Sequence, residues 1–170
     1  MSLIMELKIK SKITAEELWY FLLYHTYSSI WGFTGILISV CALLAFIQMC
    51  ISGGSIFTRG FLIVTALLFL VVQPLRLYLQ AQKLILNDKG YMEPIEFFFD
   101  SAGITLTQKE DSAFYAWHNI RKVISTRKIV AIYADNKKVF KIARRDITDN
   151  FEKLRDIIRT YAVHAVVKLK

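Results

Sequence analysis

The chain contains only two cysteines among its 170 residues, Cys41 and Cys50. They stand nine residues apart in an apolar stretch, which is about 13 Å along one helix and too far for a disulfide within it. No pair of cysteines, or of cysteine and histidine, has the spacing of a zinc site. The scarcity of cysteine therefore excludes a secreted disulfide scaffold, and we expect no bound metal. Both cysteines are interpreted as small residues of a membrane helix.

Charge is missing from one long stretch of the sequence. Of the 36 charged residues, the sum of 22 basic and 14 acidic ones, only Arg59 lies between Ile30 and Leu75, where 31 of 46 positions are apolar. The rest of the chain has an ordinary apolar content. The sequence thus predicts a membrane insert between soluble segments. It excludes a soluble enzyme of standard domain size, and with only two prolines and seven glycines it also excludes a collagen-like or disordered chain.

The apolar stretch divides at the flexible segment 52–55 into two runs, 30–51 and 56–75. The first has 22 residues, enough to cross about 30 Å of hydrocarbon, and the second can continue as a helix past Pro74. We predict a transmembrane hairpin over residues 30–75. An N-terminal strand and interfacial helix (1–29) would precede it, and a helix extension with a cytoplasmic β-rich domain (76–170) would follow.

The distribution of basic residues predicts the orientation of this hairpin. Lysine and arginine number three before it, one in its turn and 18 after it. Because positively charged flanks stay in the cytoplasm, we expect a multi-pass protein of the bacterial inner membrane with both termini cytoplasmic. Five aromatic or basic side chains are predicted as anchors at the membrane interface: Trp19, Tyr24, Trp31, Arg59 and Arg76. The small residues Ser39, Ala42 and Ala45 are expected to support helix contact only weakly.

The segment before the hairpin predicts a strand and then a helix. Residues 5–10 alternate apolar and charged side chains, as in a half-buried strand. Thr14 stands three residues before Glu17, which is a capping-box pattern, so a helix should begin near Ala15. That helix is expected to lie at the membrane surface or to lead into the span. Whether the strand joins the sheet of the C-terminal tail is left open by the sequence.

The tail predicts an antiparallel β domain closed by a helix. Six short runs of β-branched and aromatic residues are separated by turn signals, namely 94–99, 104–108, 114–117, 120–126, 129–133 and 138–142. From Thr148 an amphipathic helix follows, with Phe151, Leu154, Ile158 and Tyr161 on its apolar face. The fold class predicted for the whole chain is therefore an α+β membrane protein, a two-helix transmembrane hairpin with a pleckstrin-homology-like antiparallel domain.

These segments, taken in order, resemble the bacterial YcxB-like membrane proteins. The matching segments are Ile13 to Glu17 leading to Tyr24 and His25, Phe97 to Ile104, Trp117 to Val123, and Val139 to Arg145. The family usually carries a proline before the basic residues of the last segment, where this chain has Ala143. The resemblance covers nearly the whole chain and implies a cytoplasmic domain on a two-helix anchor. It brings no established activity and no catalytic residues.

Catalytic signatures are lacking. No hydrolase elbow, phosphate loop, dinucleotide fingerprint or zinc-protease motif occurs, and His25, His118 and His164 are isolated from metal-ligand partners. Adjacent carboxylates, such as Glu16 and Glu17, are interpreted as solvated caps. We therefore expect no catalytic residues, no cofactor and no enzymatic activity; a membrane-embedded enzyme is the weaker alternative, because the spans contain no acid–base pair.

The positive functional signal is a dense group of basic residues. Five fall within nine positions: Lys137, Lys138, Lys141, Arg144 and Arg145. They are either the solvated face of a strand and turn or a binding face for a protein partner or anionic lipid headgroups, to which each nearby basic residue contributes about 1 kcal/mol. Nucleic acid is not expected as a partner. The leading hypothesis is a membrane-anchored cytoplasmic binding module whose protein partner is another protein or, in a homo-oligomer, a second copy of the chain. The alternative is an immunity or accessory protein that protects against a bacteriocin or toxin.

Overall fold

The computed structural model describes residues 6–135 and 138–169 and contains eight strands and six α-helices within them. The strands are β1 Leu7–Ser11, β2 Ile95–Phe99, β3 Gly103–Gln108, β4 Asp111–Ala116, β5 Ile120–Ser125, β6 Ile129–Ala134, β7 Val139–Ala143 and β8 Val166–Lys168. The helices are α1 Ala15–Tyr27, α2 Ile30–Ser52, α3 Ile56–Leu67, α4 Gln73–Asn87, α5 Lys89–Met92 and α6 Phe151–Tyr161. A π-helical segment, Leu68–Val72, joins α3 to α4, and 3-10 helices cover Trp117–Asn119 and Arg144–Asn150.

The chain forms two units. A β unit contains the described residues up to Leu18 and from Leu84 onwards, and a hairpin unit contains Trp19–Lys83. β1 pairs antiparallel with β2, with Leu7 opposite Phe99 and Ser11 opposite Ile95. The N-terminal strand therefore joins the sheet of the tail, and the apolar helices are an insertion between the first two strands of the β unit.

The β unit consists of two four-stranded sheets instead of the single sheet of about six strands expected from sequence. Their strand orders are β1-β2-β3-β4 and β7-β6-β5-β8. Every pairing is antiparallel except that of β5 with β8. The two additional strands are β1, which is distant in sequence, and β8, whose three residues are too few to show a periodicity.

One hydrophobic core joins both sheets to α6. The helix buries Phe151, Leu154, Ile157 and Ile158 in this core, which confirms the predicted apolar face and adds Ile157 to it. Four aromatic rings follow one another through the core at centroid distances of 6.0–6.4 Å, in the order Phe97, Phe99, Trp117 and Tyr161. Two of these rings come from β2, one from the 3-10 helix Trp117–Asn119 and one from α6. The row therefore connects the C-terminal helix to the first sheet.

The hairpin unit contains two helices that are long and apolar enough to cross a membrane. They cover Ile30–Ser52 and the continuous helical stretch Ile56–Asn87, and the most apolar windows have mean hydropathies of 2.3 and 2.1. Only 22% and 6% of those windows is buried within the protein, whereas the core helix of a soluble domain is mostly buried. The first span begins and ends within one residue of its prediction, and the second continues past Pro74 as expected.

Small residues bring the two long helices together. Gly32, Gly35, Ser39 and Ala42 are the buried residues of α2, and the Ser39 hydroxyl donates to the carbonyl of Thr65 at 3.2 Å. A Cβ on Gly35 would lie 2.2 Å from a ring carbon of Phe69, so a larger residue would force that ring to shift. Ser39 and Ala42, two of the three small residues expected to support helix contact weakly, are buried, and Ser39 contacts the second long helix directly. The strength of their support stays a prediction.

The second long helix accommodates Pro74 through the π-helical segment that precedes it. Proline has no N–H to donate to a carbonyl in the preceding turn, and the carbonyl of Phe69 instead accepts the hydroxyl of Tyr27 at 2.8 Å. The Trp19 indole N–H donates to the carbonyl of Pro74 at 3.0 Å, and its ring meets that of Tyr78 edge-on at 5.5 Å. The part of α1 from Trp19 onwards therefore runs antiparallel beside this stretch and leads into α2, while a position of α1 at the membrane surface stays a prediction.

Candidate functional site

The predicted basic residues lie on and around β7, at one edge of the second sheet. β7 pairs with β6 on one side, with Phe140 opposite Ile132 and Lys141 opposite Ala131. Lys138 precedes the strand, and Arg144 and Arg145 follow it in a 3-10 helix. Lys137 lies outside the described residues. Lys138 and Lys141 therefore lie before and on the strand and the two arginines lie after it, and their surroundings differ.

Lys138 and Lys141 are each held by a tyrosine hydroxyl. The ammonium nitrogen of Lys138 lies 3.0 Å from the hydroxyl of Tyr115 on β4, and that of Lys141 lies 2.6 Å from the hydroxyl of Tyr91 on α5. The ring of Tyr115 also contacts that of Phe140, at a centroid distance of 4.7 Å. Each hydroxyl oxygen accepts a hydrogen bond from the lysine ammonium, and its own O–H stays able to donate another. Each lysine is therefore fixed beside the aromatic ring of its own tyrosine partner.

A cleft of about 210 Å³ opens beside Lys141, and we name it the β7 cleft. Its lining residues come from the end of β1, the segment around α5 and β7: Ser11, Ile13, Asp88, Gly90, Tyr91, Glu93, Ile95, Val139, Phe140 and Lys141. Two carboxylates lie among them. That of Glu93 is paired with Lys109 at 2.7 Å, and that of Asp88 accepts the N–H of Gly90 at 2.9 Å. The cleft is therefore amphipathic, and Lys141 is the one basic side chain among these lining residues.

Arg144 and Arg145 make contacts within the β unit. The guanidinium of Arg144 lies 3.9 Å from the ring centroid of Phe151 and donates to the hydroxyl of Ser125. Arg145 donates to the carboxylate of Glu17 at 2.7 Å and to the carbonyl of Lys12 at 2.7 Å. These contacts hold the two arginines in the fold, so their part in binding a partner stays a prediction and cannot be tested by substitution without a control for stability.

The arginine contacts belong to a polar network at the start of α1. The capping box is formed as predicted: the N–H and hydroxyl of Thr14 donate to Oε2 of Glu17, each at 2.9 Å, and the Thr14 hydroxyl accepts the Glu17 N–H at 3.3 Å. The hydroxyl of Ser11 accepts the N–H of Ala143 and donates to the carboxylate of Asp146. Ser11 therefore joins the end of β1 to the end of β7, across 132 positions of sequence.

The predicted interface anchors take three kinds of position. Trp31 in the first turn of α2 is 86% exposed, and Tyr24 and Arg76 are also exposed. Arg59 donates twice to the carbonyl of Gly54, at 2.6 and 3.0 Å, so it closes the turn between the long helices. Trp19 is half-buried against the second long helix. The exposed positions suit contact with headgroups, while a membrane role for all five remains a prediction.

Sequence reasoning missed Tyr91 and Tyr115 as partners of the lysines. Tyr91 follows a run of turn residues that predicts no ordered element, and Tyr115 lies in a strand whose neighbours are hydrophobic. The hydrogen bonds join residues 50 and 23 positions apart, and no local pattern predicts such pairs. No group of three or more histidine, cysteine or acidic side chains that could hold a metal occurs in the part of the chain that the structure describes.

Comparison of the chain with protein-family models, with curated proteins and with solved structures gives no match. The functional conclusions below therefore depend on the contacts and charges of this chain alone.

Proposed function

We propose that this chain is a membrane-anchored binding module that presents the β unit to the cytoplasm. The single observation that carries the proposal is the division of the chain into an apolar hairpin with outward hydrophobic side chains and a separate β unit with its own core. Exposed apolar helices need lipid around them. The basic excess after the hairpin supports the cytoplasmic orientation.

The fold proposed for the β unit is pleckstrin-homology-like. Strands β1 to β7 make one sheet of four strands and one of three, all antiparallel, and α6 packs on their common core. β8 adds a parallel strand to that plan. Membership of the YcxB-like family is part of the same proposal. Two of the segments that carry the resemblance contact each other, since the Trp117 indole N–H donates to the carbonyl of Asp100 at 2.9 Å.

The binding surface proposed is the region of Lys138, Lys141 and the β7 cleft. Its ammonium and phenol donors suit an anionic group, and Phe140 with the aliphatic lining suits an adjoining apolar part. An anionic phospholipid headgroup or an acidic segment of a protein partner has both. Removing two lysines near an anionic surface loses about 1 kcal/mol each, or roughly 30-fold in affinity for the pair.

The test uses the full chain in phosphatidylcholine nanodiscs and a flotation assay with added vesicles of phosphatidylglycerol or phosphatidylcholine. We expect binding to phosphatidylglycerol vesicles and its loss in the variant Lys138→Gln, Lys141→Gln. The matched control is Lys153→Gln, Arg159→Gln, which removes the same charge from the exposed side of α6. Equal losses in the two variants would show that net charge alone attracts the vesicles.

A second arm distinguishes the protein partner from the lipid. A photo-crosslinking amino acid is placed at position 138 of the full chain in cells, and at position 153 as the control. A protein adduct specific to position 138, together with vesicle binding that the lysine substitutions leave unchanged, would favour the protein partner. If neither position gives a specific adduct and vesicle binding does not depend on the lysines, this binding surface is incorrect.

The orientation is tested by labelling single cysteines in a background without Cys41 and Cys50. A cysteine at Ser55 should react with an impermeant maleimide added outside the cell, and a cysteine at Lys153 should react only after lysis. The opposite pattern would reverse the proposed topology.

A further inference from the structure

β4 is an edge strand without the features that normally prevent edge-to-edge pairing. It pairs with β3 without interruption, from Gln108 opposite Asp111 to Gly103 opposite Ala116. In the described part of the chain no strand lies on its other side. The stretch Ser112–Ala116 contains no lysine, no proline and no bulge. An uninterrupted edge of this kind is a template for a further strand.

The other three sheet edges are protected. β1 carries Lys8 and Lys10, and Lys12 follows it. β7 carries Lys141, and its last N–H is bonded by Ser11. β8 has only three residues, one of them Lys168. Charged side chains, capping groups and short length are the usual means of blocking an edge. β4 differs from the other edges in that its one charged residue, Asp111, stands at its first position.

The outward side of β4 is also apolar. Phe114 is 55% exposed, and its ring covers Gly103, where a Cβ would lie 2.9 Å from a Phe114 ring carbon. Phe114 is opposite Thr105, which is opposite Phe98, so its side chain lies on the outer face of the first sheet. A strand added beside β4 would cover this ring and extend that face.

The charges at the two ends of β4 are complementary to each other. Glu110 and Asp111 stand at its beginning. At its other end Tyr115 accepts a hydrogen bond from Lys138 at 3.0 Å. In an antiparallel pair of two copies of β4, the acidic beginning of each strand lies beside the basic end of the other, so both ends gain an attraction by symmetry. An unrelated strand would need the same charges in the same order.

The alternation of side chains restricts the register of such a pair. Neighbours across two strands lie on the same face of a continuous sheet, so the twofold axis must pass through one residue number, paired with itself. With Ala113 at the axis, Asp111 is opposite Tyr115 of the second copy and close to its Lys138. With Phe114 at the axis, the two exposed rings form a cross-strand pair. Both registers keep the charge complementarity.

We infer that β4 is a homodimerisation edge, at which two copies of this chain join their four-stranded sheets into one antiparallel sheet of eight strands. The occupant is a second copy because the edge is complementary to itself in charge and in its exposed aromatic residue. None of the residues of β4 lines the β7 cleft, although Lys138, which belongs to the proposed binding surface, is bonded to Tyr115 at the end of this edge.

The register is tested with single cysteines at positions 112, 113, 114 and 116 of the full chain, in nanodiscs and without Cys41 and Cys50. Facing residues in an antiparallel pair have Cα atoms about 4.5 to 5.5 Å apart, within the range of a disulfide. Mild oxidation should give a covalent dimer with a maximum at 113 or 114. A cysteine at Lys8, on the protected β1 edge, is the control. Equal yields at position 8 and along β4 would overturn the inference, as would a dominant adduct of β4 with another protein when the same variants are oxidised in cells.

The charge pattern is tested by exchange. Asp111→Lys places two lysines together at each end of the interface and should lower the dimer fraction at least several-fold in sedimentation or mass photometry. Adding Lys138→Glu should restore it. Phe114→Lys supplies the protection that β4 lacks and should give a folded monomer with unchanged circular dichroism. A dimer that persists in Phe114→Lys, or an Asp111→Lys defect that Lys138→Glu does not relieve, would contradict the self-complementary pair.

Discussion

Arg145 and Glu17 form an ion pair across 128 positions of sequence, with Nη1 of the arginine 2.7 Å from Oε1 of the glutamate. The Glu17 side chain is 7% exposed, and its other oxygen is occupied by the capping box. One arginine on the C-terminal side of the hairpin thus fixes the residue that begins the helix leading into it. Arg145 was predicted as part of a binding face, and this bond gives it a role in the fold.

We predict that Arg145→Gln destabilises the β unit by about 2 kcal/mol, because a hydrogen bond to a buried charged group is lost. For a chain of this size that is about 4 to 8 °C in Tm, measured by circular dichroism of the full chain in nanodiscs. Arg121→Gln is the control, because it breaks the exposed pair with Asp135 and should change stability by less than about 0.5 kcal/mol. Similar losses in the two variants would argue against a special role for the Glu17 bond.

Tyr27→Phe should destabilise the hairpin unit by about 1 to 3 kcal/mol, because the Phe69 carbonyl loses its donor in apolar surroundings. Tyr24→Phe, on the exposed side of the same helix, should have little effect. The cause is checked with Pro74→Ala, which returns a backbone N–H to the helix. In that background the cost of Tyr27→Phe should fall, and a cost that does not change would show that the tyrosine acts through another contact. Thermal unfolding in nanodiscs is the measurement for all four variants.

Gly35→Ala should weaken the pairing of the long helices by about 1 to 3 kcal/mol, because its methyl group would overlap the Phe69 ring. Gly60→Ala is a matched control, since a Cβ at Gly60 meets no atom within 4 Å. It should be neutral or slightly stabilising. Phe69→Leu should recover part of the loss in Gly35→Ala. Protease accessibility of the turn and thermal unfolding report the result, and equal effects of the two glycine substitutions would refute the close packing.

The pKa of Glu96 should lie below its ordinary value because Lys8, and then Lys10, donate hydrogen bonds to its carboxylate. A carboxylate with a lowered folded pKa stabilises the protein above its unfolded pKa, near 4.3. That stabilisation is lost as the pH falls through the lowered folded value. A carbon-detected NMR titration measures the pKa of Glu96 directly. In Lys8→Gln, Lys10→Gln the titration should return towards the ordinary value, and identical titrations in the two proteins would contradict the assignment.

Local patterns were sufficient for most of the fold. The capping box at Thr14 and Glu17, the first apolar span and six of the strands each depend on residues that are near neighbours in sequence. All were predicted close to their observed bounds except the strand expected at 114–117, which begins three residues earlier, at Asp111, and ends before Trp117. Hydrophobic repeats of two residues for a strand and 3.6 for a helix predict these elements, because each repeat arises from the geometry of a single element.

Long-range relationships were not predictable in the same way. The pairing of β1 with β2, the division into two sheets and the contacts of Arg144 and Arg145 depend on which distant segments meet. The contact of Gly35 with Phe69 belongs to the same class, although the spacing of Gly35 and Ser39 is a known signal for close helices. The candidate site was therefore predicted as a group of charges, and the structure distinguishes those held by the fold from those beside the cleft.

The position of the hairpin between β1 and β2 has a consequence for biogenesis. Residues 12 to 94 lie between the paired strands. During synthesis β1 therefore cannot pair with β2 until both apolar helices and the segment after them have been made. Contacts this distant in sequence form late. In the topology proposed above, a chain whose second helix failed to return through the bilayer would have β1 and β2 on opposite sides of the membrane, and the first sheet could not form. Under that proposal, formation of the β1–β2 pair requires that both apolar helices have been inserted.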